Sequence, residues 1–172
     1  MLKDKKGVSE VISVILIVAL VMIMIGVVWV VVKNLVSDKL SETGSCFENF
    51  GKVTLNNRYT CYNSTSKELQ FSINIGDANI SEALLGVSSA GTSVSFKLNN
   101  TGSQIPNLVN YPNRTTNITL PKKNAGLTYL LNMSAAGLSV PDSISIAPKT
   151  GKDQCGISDS LEEIDDCLSL VP

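Results

Sequence analysis

Apolar and polar positions divide this chain into two unequal parts. From Val11 to Val32 the only polar side chain is Ser13. That run of about 22 positions is long enough for a helix to cross a hydrocarbon layer about 30 Å thick. Beyond it the pattern turns amphipathic. Leu35, Val36 and Leu40 keep an apolar stripe, while Lys33, Asp38 and Lys39 are placed to meet water. Gly44 is a plausible stop. A helix from Val8 to Thr43 would be about 54 Å long at about 1.5 Å per residue, more than a membrane requires. A stalk outside the bilayer, or packing inside a filament, would use the excess. Gly26 would let a neighbouring helix approach or is simply a tolerated membrane glycine, and Trp29 is placed as interface aromatics are.

From Cys46 onward the period changes to two. Leu69, Phe71, Ile73 and Ile75 alternate, as do Val94, Phe96 and Leu98, and Leu127, Tyr129, Leu131 and Met133. KVTLN, YTCYN, NITLP and SISIAP are shorter pieces of the same kind. Turn residues separate them, among them Gly91, Pro112-Asn113, Asn124-Ala125-Gly126 and Pro141-Asp142. ISEALLGV, residues 80–87, fits a strand or a short helix. In the tail, Ser160 and Glu163 fit a capping box, and Leu161, Ile164 and Leu168 share a helical face, which predicts a short helical turn. The expected fold is α+β: a long hydrophobic N-terminal helix, then an antiparallel β-sandwich or barrel-like domain. The expected organisation is 1–7, 8–44 and 45–172.

The 172 residues leave about 130 for the second part, enough for one modest core. The formal net charge is −1, which provides no electrostatic case for nucleic acid. Histidine is absent, removing the usual general base near neutral pH and the commonest metal ligand. No G-x-S-x-G and no glycine-rich phosphate loop is present, so the chain is not expected to be an enzyme or to need a cofactor. A carboxylate-pair hydrolase stays open, since two acids can meet from anywhere in a fold. The acidic group Asp159, Glu162, Glu163, Asp165 and Asp166 lacks the alternation and central glycine of a calcium loop and reads as a solvated face; no metal site is expected.

Four cysteines, Cys46, Cys61, Cys155 and Cys167, all follow the apolar run. An even number beyond a membrane segment predicts two disulfides in an oxidising compartment. Local loop closure favours Cys46–Cys61 and Cys155–Cys167; four buried thiols are the alternative. Zinc has no C-x-x-C pair to hold it.

Lys3, Lys5 and Lys6 precede the apolar run, which predicts an N-terminus on the cytoplasmic side. The run is too long for an ordinary secretory signal and no small-x-small cleavage site follows it. The junction itself is more telling: Lys5-Lys6-Gly7, then Val8-Ser9-Glu10-Val11-Ile12. This resembles the class III signal peptide of archaeal type IV pilins, cut by a prepilin peptidase between a small residue and the apolar helix. The resemblance implies cleavage at Gly7–Val8, a mature start at Val8, and a role for Glu10 in assembly. In archaeal pilins a proline often stands where Glu10 does, and in bacterial ones the carboxylate is the fifth mature residue rather than the third. The resemblance also implies a membrane-stored precursor, a helical homopolymer built through the N-terminal helices, and an assembly ATPase with a membrane platform as partners. Adhesion or surface attachment would be the purpose. Six N-x-S/T sequons, at Asn63, Asn79, Asn99, Asn113, Asn117 and Asn132, all lie on the side that would be translocated. Pilins of this kind are commonly glycosylated, so the resemblance favours their use. Two other readings share most of these features: a signal-anchored surface binding protein that never polymerises, and a minor pilin or pseudopilin of a secretion system.

Overall fold

The structure is a computed structural model that describes residues 5–151 and 153–167, with the side chains of 5–10, 38–45 and 153 excepted. It divides into two units, 1–43 and 44–172. A single helix, α1, runs Lys5–Asn49, and every residue from 11 to 37 is exposed. It passes through Gly44, the expected stop, and ends where Gly51 takes a left-handed φ of 71°. A glycine inside a helix costs about 1 kcal/mol. Here the turn that follows is tied down twice. Cys46 forms a disulfide with Cys155, and the buried Asn49 donates from Nδ2 to Thr150 Oγ1 at 3.2 Å.

The second unit is built from twelve strands among the described residues. They are β1 (Val53–Leu55), β2 (Cys61–Asn63), β3 (Glu68–Ile75), β4 (Glu82–Ser89), β5 (Thr92–Asn99), β6 (Ser103–Gln104), β7 (Leu108–Asn110), β8 (Asn117–Ile118), β9 (Ala125–Asn132), β10 (Ser143–Thr150), β11 (Asp153–Gln154) and β12 (Asp159–Glu162). A 3-10 turn, Asn57–Tyr59, joins the first two. One antiparallel five-stranded sheet has the order β1-β3-β9-β7, with β2 also on β3. A second has β11-β10-β4-β5, with β12 also on β10; β6 and β8 form a small ribbon. The two large sheets do not close into a barrel. Their inward side chains meet in one core, a sandwich, as the alternating pattern predicts.

Alternation is the reason these segments are strands. Along β4 every second residue is buried, from Ala83 to Ser89, so the ambiguous ISEALLGV segment is largely sheet. β4 turns into β5 through Ala90 and Gly91, both at positive φ, as a two-residue hairpin requires. In the core, the rings of Phe71 and Tyr129 stack at 5.3 Å. The Tyr129 hydroxyl donates to Thr119 O at 2.7 Å, and burial pushes that phenol well above its usual range.

Two further expectations fail. The tail is not a helical turn: Ser143–Ile146 of β10 pair with Asp159–Glu162, and Glu163, the presumed third residue of a helix, has a φ of 60°. An available sheet edge outcompeted the local capping signal. The cysteines also pair differently, as Cys46–Cys155 and Cys61–Cys167, at separations of 109 and 106 residues. The local pairs would leave both ends of the domain untethered. Instead β11 and its loop bring Cys155 to the base of α1. The bridge between Tyr62 and Asp166, with Tyr62 N donating to Asp165 O at 2.8 Å, brings Cys167 to β2.

Candidate functional site

The feature with the clearest chemical demand is α1. Its large apolar side chains from Val11 to Val36 are between 45% and 69% exposed, and Val11–Ser37 is long and apolar enough to cross a membrane. Each such side chain left in water forfeits about 1.5–3 kcal/mol, so the whole face costs tens of kcal/mol until something apolar covers it. Lipid or other helices can do so. Gly26 has nothing within 4 Å of where a Cβ would be, so its surface is open to a close neighbour. Gly7, Val8 and Glu10 all fall within the first two turns of α1; their side chains lie outside the described residues.

Two hydrogen bonds brace the strands next to the Cys46–Cys155 bridge. Ser158 Oγ donates to Val53 O at 2.8 Å, and Leu55 N donates to Asp159 Oδ2 at 2.8 Å. These bonds tie β1 to the start of β12 beside the Cys46–Cys155 bridge. Asp159 thus has a structural task as the acceptor of a β1 amide. Asp165 contributes its backbone carbonyl to Tyr62. Among the described residues no three His, Cys, Asp or Glu side chains gather as a metal cluster.

The six sequons sit on the second unit. Asn79, Asn113, Asn117 and Asn132 are exposed, and Asn63 and Asn99 are half-buried. Asn63 Oδ1 accepts from Thr65 N and Ser66 N, both at 3.0 Å, and Asn132 Oδ1 accepts from Ala135 N at 2.9 Å. At Asn99 the Thr101 hydroxyl donates to Oδ1 at 3.1 Å. Asn79 borders a groove of about 380 Å³ lined by Ile80, Asn100, Leu120 and Lys122. Lys123 at its rim pairs with Asp77 and holds that carboxyl below its usual range.

Residues that the pattern of the sequence did not single out also matter at this base. Phe47 is 81% exposed, Phe50 69% and Ile157 62%.

A membrane-length apolar helix followed by a disulfide-bonded antiparallel sandwich defines a class: a β protein carried on a single N-terminal helix. Residues 6–43 match the family model of the archaeal type IV pilin N-terminal domain. The N-terminal helix is thus similar to that of archaeal type IV pilins, and the β-rich domain lies outside the match. No curated protein and no solved structure matches the chain.

Proposed function

We propose that this protein is the subunit of an archaeal type IV pilus-like surface filament, stored in the membrane and then assembled through α1, serving adhesion or surface attachment. The observation that carries the proposal is that the same residues match the pilin N-terminal family and present an uncovered apolar face. In the membrane, lipid covers that face. In a filament, the helices of other copies cover it. Both keep it from water, so the two states are similar in energy, and extraction calls for a machine, an assembly ATPase with a membrane platform.

In this reading a prepilin peptidase cuts between Gly7 and Val8, and the new α-amino group of Val8 becomes available to the Glu10 carboxylate of a neighbouring copy. The opposite charges would set the register of one helix against the next. The N-terminus faces the cytoplasm before processing, and the sandwich faces the oxidising exterior, where both disulfides and glycans on the sequons can form. No nucleic acid and no cofactor take part.

The first test is the mature N-terminus, read by mass spectrometry on protein taken from its own cell surface. A start at Val8 is expected, in material that electron microscopy shows as filaments. An intact Met1, or a start at Leu2, in surface material would overturn the processing step and leave a signal-anchored binding protein. A Val8 start with only rare copies per filament would make it a minor pilin.

A further inference from the structure

We infer that the outer edge of β5, with the groove beside it, is an acceptor site for one extended segment of another protein, taken up as an added strand. The site lies wholly within residues 44–172 and does not depend on how α1 is covered.

β5 is the last strand of its sheet. β4 pairs with it without a bulge, from Glu82 opposite Asn99 to Ser89 opposite Thr92, and among the described residues no strand pairs with its other side. In an antiparallel ladder successive residues turn their N–H and C=O to opposite sides. Asn99 O accepts from Leu120 N at 3.0 Å, which marks Asn99 as facing outward. Ser93, Ser95 and Lys97 therefore face outward as well, and among the described residues no hydrogen bond reaches their N–H and C=O groups. The other side of the sandwich is closed, by Leu55 N on Asp159 Oδ2 and Ser158 Oγ on Val53 O. An edge this long is normally blunted by proline, a bulge or several charges; here Lys97 is the one charged residue and there is no proline.

A groove of about 600 Å³ lies against this edge. Val94 and Phe96 form one wall, Ile105 and Ala136 the other, and Asn107 Nδ2 ties that second wall together by donating to Ala135 O at 3.0 Å. Ser103 Oγ, a hydroxyl of the same groove, is buried without a hydrogen-bond partner. The chemistry selects the occupant. Open N–H and C=O groups at every second residue repeat at about 6.6 Å, and a second extended backbone matches that repeat. Phe96, the aromatic residue of the groove, is 9% exposed and offers no ring face for stacking. The second wall leaves a slot for a single segment rather than for the edge of another folded sandwich, which favours a peptide of another protein over a second copy. Residues of that segment turned inward would meet Val94, Phe96 and Ile105, so they should be apolar. Those turned outward would stand beside Ser95 and Lys97. The Lys97 side chain is 71% exposed although its Nζ lies 3.4 Å from Glu82 Oε1, so an acidic residue fits next to it.

The test is amide hydrogen exchange by NMR on the full chain in detergent micelles, with a synthetic seven-residue peptide that alternates valine with glutamate and threonine as the probe. Saturating peptide should slow exchange at Ser95 and Lys97 at least tenfold and leave Val94 and Phe96, already bonded to β4, unchanged. Ser95→Pro removes an outward N–H that the fold does not use, so it should keep both disulfides and the protection of Phe96 while abolishing the effect of the peptide. Should that variant fail to fold, Lys97→Glu decides: it should weaken binding of the acidic peptide at least fivefold, and a peptide with lysine in place of glutamate should recover it. Unchanged exchange at Ser95 and Lys97 in millimolar peptide would overturn the acceptor site, as would equal slowing at every surface amide. Slowing that grows with protein concentration and needs no peptide would overturn it in favour of pairing between copies.

Discussion

The Glu68 carboxylate receives two guanidinium nitrogens of Arg114, each at 2.9 Å. That fork holds the Glu68 carboxyl below its ordinary 4.5 and raises Arg114 above its own ordinary value. The sign follows from linkage. A carboxyl whose folded value is depressed adds stability that is present above the unfolded value and is lost as pH falls through the folded one. Arg114 is 59% exposed in its side chain, so solvent keeps the contribution small. Arg114→Gln should move the Glu68 titration midpoint upward, measured by carbon NMR of the side-chain carboxyl. It should also remove the part of the acid sensitivity that lies below the ordinary glutamate range. Neither partner was singled out from the sequence. They stand 46 residues apart, and only the turn of chain beyond β7 brings Arg114 over the first residue of β3.

At the scale of elements, what was legible depended on whether the governing force was local. Alternation in β3, β5 and β9 is a local property, and those strands lie where Leu69–Ile75, Val94–Leu98 and Leu127–Met133 indicated, give or take their ends. The continuous apolar run was equally plain, and α1 contains it. The end of α1 was not legible, because Gly44 signals a stop only when nothing downstream holds the helix, and Cys46 and Asn49 do. The tail was misread for a related reason: Ser160 and Glu163 offered a cap, but β10 offered a ladder of backbone hydrogen bonds. Disulfide partners belong to the tertiary fold, and short loops are not preferred once a sandwich has formed. Each bridge closes a loop of about 100 residues, worth roughly 4–5 kcal/mol in the chain-entropy account. Replacing Cys46 and Cys155 together by serine should therefore lower the unfolding free energy of the detergent-solubilised chain by several kcal/mol. Denaturant titration followed by Trp29-independent far-UV dichroism of the strands would measure it. A loss under about 1 kcal/mol would mean the hydrogen bonds of Asn49, Leu55 and Ser158 suffice to hold the base.

Over the whole molecule, the two bridges interleave: the second opens inside the loop of the first and closes outside it. This has a mechanical consequence. A pull applied between the end of α1 and Cys167 has two covalent routes. One crosses from Cys46 to Cys155 and follows residues 156–166; the other follows residues 47–60 to Cys61 and crosses to Cys167. Residues 62–154, which include β3, β4, β5, β9 and β10, lie on neither route. Tension passes around most of the sandwich rather than through it, and the shorter route caps the extension at about 40 Å, twelve residues at about 3.3–3.6 Å each. With both bridges reduced the same pull could draw out about 400 Å. Single-molecule force spectroscopy on the full chain, before and after reduction, should show that tenfold difference. A domain wired this way keeps most of its strands folded while its two ends are pulled apart.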